Sequence, residues 1–163
     1  MNFHSNNDTL KGILTMKKTL LALSALFISS ASFAQSDLII ENPYARATPP
    51  NAVNSAIFMT IKNNGDKDRT LVSATTSAAN KVELHTVVKS DGMMKMREVD
   101  SMTIAKDSET VLKPGGLHIM LFELTGPLKE EEFIDVSLNF ANGDKEVFKA
   151  PVKKVMAGMK HKM

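Results

Sequence analysis

From residue 37 onward, turn-forming residues cut the chain every few positions, and the apolar stretches between them are of strand length. Asp37–Ile40 runs into the breaker Asn42-Pro43, and Tyr44–Thr48 into Pro49-Pro50-Asn51. Ala56–Lys62 ends at Asn63-Asn64-Gly65-Asp66, and Arg69–Thr75, Lys81–Val88 and Met93–Val99 follow as further extended candidates. Thr110–Leu112 leads into Lys113-Pro114-Gly115-Gly116, and Leu117–Leu124 into Thr125-Gly126-Pro127. Glu132–Phe140 ends at Asn142-Gly143-Asp144, where Asn-Gly is the best short hairpin signal, and Lys145–Pro151 follows. β-Branched residues recur in these runs. No window offers a long amphipathic helix, although Ser77–Val82 has room for a short helical turn. The pattern predicts one all-β domain, a sandwich or barrel, over residues 35–152, with a polar tail over 153–163.

Residues 16–34 read differently. Met16-Lys17-Lys18 is a short basic start, an apolar run too short to cross a bilayer follows, and small residues lead to a cleavage point after Ala34. This is the pattern of a signal peptide, which makes residues 1–15 an upstream extension and places the mature chain in the periplasm with no stable membrane insertion. No Cys lies near the cleavage point to carry a lipid anchor. Removing residues 1–34 takes away Lys11, Lys17 and Lys18 against Asp8, so the formal charge falls from +2 to zero. A neutral, mixed surface gives no reason to expect nucleic acid as a partner, and the reading expects a monomer.

The composition narrows the chemistry. The chain has no Cys, 11 Met and four His; nine of the Met and three of the His fall after residue 34. Disulfide frameworks, thiolate zinc sites and thiol nucleophiles are excluded, as is a blue-copper electron carrier, which needs a Cys thiolate. Copper(I) is soft, prefers sulfur and accepts imidazole. Thioether also resists the disulfide chemistry that would threaten paired thiols in an oxidising compartment.

Four residues carry this argument. His118 and Met120 are one residue apart, so on a strand both side chains share a face. The segment 81–99 reads as a hairpin turning at Ser90-Asp91-Gly92. A loop of Lys89–Gly92 puts His85 directly opposite Met96. A loop of only Asp91-Gly92 puts His85 opposite Glu98 and diagonal to Met96, still on one face. An odd-length loop would separate the two by face unless a bulge compensates. Singly, each residue has a plainer explanation: Met96 and Met120 as apolar strand filler, His85 half-exposed, His118 satisfied by a loop carbonyl.

Read together, His85, ten residues, Met96, twenty-one residues, then His118-Ile119-Met120 resembles the metal-site signature of the periplasmic copper chaperones called the PCu(A)C family. The surrounding segments are similar as well: Ala45-Arg46-Ala47-Thr48-Pro49-Pro50, Val82-Glu83-Leu84-His85, Met93–Val99 and Leu112–Leu121. The likeness runs from Leu38 to Val152. It implies a cupredoxin-like β-sandwich that holds copper(I) through His85, Met96, His118 and Met120. It also implies delivery toward the dinuclear copper (CuA) centre of cytochrome c oxidase, or toward other periplasmic copper acceptors, by ligand exchange and without enzymatic turnover. Many relatives have a further Met just behind the first His. Here Thr86 and Val87 stand there, and Met93 or Met94 would substitute for it or merely line the site. Some relatives carry a His- and Met-rich C-terminal extension that takes up additional copper, including copper(II). Met156, Met159, His161 and Met163 form the corresponding secondary candidate set. The alternative function is a copper-dependent redox protein or electron carrier on a similar fold, against which two thioethers bias by favouring copper(I).

Overall fold

The computed structural model describes residues 36–154, so the signal-peptide and extension assignments and the candidate tail set Met156, Met159, His161 and Met163 lie outside the described residues. Within them the chain forms ten strands: β1 (Leu38–Arg46), β2 (Asn54–Asn63), β3 (Arg69–Thr75), β4 (Ala79–Ser90) and β5 (Met93–Glu98), then β6 (Met102–Ile104), β7 (Ser108–Leu112), β8 (His118–Leu124), β9 (Phe133–Phe140) and β10 (Lys145–Lys153). No helix occurs among the described residues, in line with the all-β expectation.

Two layers follow from the pairing. The first runs β5-β4-β8-β2-β1 and the second β10-β9-β3-β6; they are joined where β1 and β10 pair in parallel, Ala45 with Val152 and Arg46 with Lys153. Every other ladder is antiparallel. The inner faces share one apolar core. Ile57, Ile61, Ile119 and Leu121 come from the first layer, and Leu71, Ile104, Val136 and Leu138 from the second, all at 1% exposure or less. Strand alternation in β8 sends Ile119 and Leu121 inward, and so turns His118, Met120 and Phe122 to the outer face.

Three local features depart from the sequence reading. Asn42-Pro43 does not break the first strand. The register with β2 shifts between Glu41 and Tyr44, Asn42 takes φ 49°, and the strand continues through a bulge, which needs no N–H from the proline. The helical turn allowed for Ser77–Val82 is instead a tight turn at Ser77-Ala78 that feeds β4, with the Ala78 amide donating to Thr76 Oγ1 at 3.3 Å. The three-residue β6, absent from the sequence reading, pairs with β3 and buries Met102 and Ile104.

Turn chemistry sets the two pieces that matter for the site. Asp91 (φ 52°) and Gly92 (φ 76°) form a two-residue loop between Ser90 and Met93, both left-handed as the favoured hairpin turn requires. β7 and β8 pair successively with β2, Leu112 with Met59 and then Ile119 with Ile57, so they read as one strand interrupted by Lys113–Leu117. That interruption is a closed turn. Pro114 is its second residue and Gly115 (φ 78°) its third, the Gly116 amide donates to the Lys113 carbonyl, and the Lys113 amide donates to the Leu117 carbonyl.

Candidate metal centre

The outer face of β4 and β8 brings two imidazoles side by side. His85 and His118 are direct partners in the β4–β8 ladder, their ring centroids 5.7 Å apart and tilted by 50°. Both are buried, at 9% and 3% exposure. On the next rung Met120 lies between Glu83 on one side and Ala56 on the other. The hairpin adopts the two-residue loop: His85 faces Glu98, Met96 faces Val87, and Met96 is therefore diagonal to His85 on the same face. A diagonal spacing of about 7–8 Å is within reach of an unbranched thioether.

A cleft of about 210 Å³ opens here, with Met96 and Val87 from the hairpin, Pro114 and Gly115 from the interrupted strand, and His118 and Met120 among its walls. Three of the four expected ligands line it. His85 does not; it sits beside the cleft against His118. Met96 is 63% exposed on the edge strand, which removes the apolar-filler explanation for it, whereas Met59 (2%) and Met102 (3%) are genuine core residues. Met93 and Met94 are also exposed, but neither lines the cleft.

Each ring is fixed through one nitrogen. His118 Nδ1 is 2.9 Å from the Gly116 carbonyl oxygen, to which a neutral imidazole donates, leaving Nε2 open. The plainer explanation, a loop carbonyl satisfying His118, thus accounts for half of the ring. His85 Nε2 is 2.7 Å from Glu83 Oε2, and its Nδ1 is buried without any hydrogen-bond partner. An unpaired ring nitrogen shut off from water is costly, and a metal ion is a partner that suits it. Lys81 pairs with the other oxygen of Glu83. The hydrogen bond from Lys81, then that from His85, holds the Glu83 carboxyl below the usual carboxylate range.

Aromatic rings pack around the pair: Phe122 against His85 (5.8 Å), Phe58 against His118 (6.2 Å), and Tyr44 against Phe58 (5.2 Å). Phe58 is buried on this outer face, which partly dries the site. These supports were not singled out from the sequence. Glu83, two residues before His85 on a strand, was open to the alternation argument; Phe58 and the Gly116 carbonyl carried no local signal. Among the described residues no three His, Cys, Asp or Glu side chains come together as a metal cage. The thioethers of Met96 and Met120 are further donors on this face, and a mixed imidazole and thioether set suits a soft ion.

Residues 38–152 match the family described as "Putative lipoprotein LpqE-like". The chain belongs to that family, as the resemblance to the PCu(A)C copper chaperones anticipated. It is 39% identical over 100 residues to the "Putative lipoprotein Lxx21020" of Leifsonia xyli subsp. xyli, covering 61% of this chain and 60% of that protein. The chain therefore spans about three fifths of that relative's length. Among solved structures it is similar to DR1885 of Deinococcus radiodurans with CuI bound, at 34% identity and TM-score 0.59, over 76% of this chain and 83% of that one. The copper-bound PCuAC domain of PmoF2 matches at TM-score 0.63 and 19% identity, over 76% of this chain and 97% of that domain. The cupredoxin-like β fold is shared with these domains.

Proposed function

We propose that this chain is an exported copper(I) carrier that holds one ion through His85, Met96, His118 and Met120 and passes it to acceptor proteins by ligand exchange. One observation supports the reading above others: two paired imidazoles each keep one nitrogen without a hydrogen-bond partner, on a face that also carries two thioethers. The absence of Cys and the lack of a His/Cys/Asp/Glu cage among the described residues favour copper(I) over zinc. DR1885, solved with CuI, lends the same cargo to this chain. Export is supported by the leader-like residues 16–34, and the periplasm, with cleavage after Ala34, is the compartment it proposes. The sequence holds no Cys for a lipid anchor.

Transfer proceeds without bond chemistry in a substrate, so the protein acts as a carrier and not an enzyme. Met96, exposed at the sheet edge, is the ligand a partner displaces first. The acceptors we propose are periplasmic copper proteins, with the CuA centre of cytochrome c oxidase as the first destination to test. Copper(I) titration against a competing chelator distinguishes this from the redox alternative. The wild type takes up one ion tightly, and His118→Ala weakens uptake at least about tenfold. Unchanged uptake in the variant contradicts the site, and steady turnover of a redox dye favours the redox protein.

A further inference from the structure

We infer that Glu83 is a positioning residue that holds His85 in the Nε2–H tautomer, so that the ring presents Nδ1 to the metal while His118 presents Nε2. The inference rests on the copper(I) reading above but is decided by different measurements. A neutral imidazole carries one N–H, and an ionised carboxylate can only accept. The 2.7 Å contact between Glu83 Oε2 and His85 Nε2 therefore requires the ring to donate from Nε2, which leaves the lone pair on Nδ1. Nδ1 is the buried ring atom with no partner.

The carboxylate is itself held. Lys81, Glu83 and His85 occupy alternate positions on β4 and so share its outer face. Lys81 engages Oε1 of Glu83, and its ammonium stands 5.5 Å from the centroid of the Phe122 ring, the same ring that packs on His85. The Glu83 side chain is 11% exposed, so little water competes for it. Glu98, opposite His85 in the hairpin, makes no hydrogen bond to the ring. His118 is held from the other side of its ring, by the Gly116 carbonyl on Nδ1. The two imidazoles thus offer chemically different nitrogens, one set by a side chain and one by the backbone. Outer carboxylates of this type fix ring orientation in metal sites, and their loss costs about 10–100-fold in metal affinity.

Long-range proton–nitrogen correlation spectra of the metal-free protein, at a pH where both imidazoles are neutral, read the tautomers directly. The expected result is a bare Nδ1 and protonated Nε2 for His85, and the reverse for His118. In Glu83→Ala the His85 ring becomes a mixture of tautomers and copper(I) affinity falls about 10–100-fold, with binding still one-to-one. Glu83→Asp, which keeps the charge but shortens the reach, is read in the same way if the alanine variant does not fold. A bare Nε2 on His85 in the wild type overturns the inference, as does a variant with wild-type tautomer and affinity. If the wild type binds no copper(I), the carrier reading fails, while the spectra still decide what Glu83 does to His85.

Discussion

At the scale of single residues, burial separates two kinds of methionine that composition cannot. Met59 and Met102 point inward and pack in the core, where a thioether serves as a flexible hydrophobe. Met96 and Met120 share the outer face with the histidine pair, and Met96 is largely exposed. Packing gives no reason for a thioether at Met96, so Met96→Leu should leave thermal unfolding almost unmoved, because the swap conserves volume. The same change should weaken copper(I) binding at least about tenfold, whereas Met59→Leu leaves it alone. Equal affinities in the two variants would contradict the role given to Met96. Much at this scale was legible beforehand. That His118 and Met120 share a face follows from alternation alone, and the absence of Cys points to thioether chemistry. The supporting residues were harder to see: Phe58 reaches the site only through the long-range pairing of β2 with β8, and the Gly116 carbonyl is aimed at His118 only by the closed turn before β8.

At the scale of elements, the site depends on hairpin register, which spacing left open between two even-length loops. The structure adopts the shorter loop, because Asp91 and Gly92 supply two successive left-handed residues and their twist suits the flanking strands. His85 therefore meets Glu98 directly and Met96 on the diagonal. No atom lies within 4 Å of where a Cβ would stand on Gly92, so Gly92→Val acts through backbone strain and not through a clash. The cost should be about 1–2 kcal/mol, lowering the thermal midpoint on the order of 5 °C, as differential scanning calorimetry would report. An unchanged midpoint would argue against the left-handed turn. The interrupted strand β7–β8 works by the same logic: the Pro-Gly turn is evident in sequence, but its closure over β2 is not, since the paired residues of β2 lie 45 to 68 positions earlier. Asn42-Pro43 misled as a breaker because a bulge at Asn42 absorbs what a regular strand would not.

For the whole molecule, the first sheet divides the work. Its inner face joins the second layer in one apolar core that stabilises the sandwich, and its outer face carries the histidine pair, the two thioethers and the aromatic packing around them. Fold class was legible because turns and short runs recur from residue 37 onward; the layer order was not, because it rests on the long-range pairing of β1 with β10. This arrangement sets neutral donors on one outer face and leaves the edge strand accessible, which suits the proposed carrier, since it must both hold and release its cargo. X-ray absorption spectroscopy of the protein loaded with one equivalent of copper(I) shows whether all four donors meet on one ion. Two nitrogen and two sulfur scatterers around a single copper are expected, with one sulfur lost in Met96→Leu. A shell of nitrogen and oxygen only, or a sulfur count unchanged by that substitution, would contradict it.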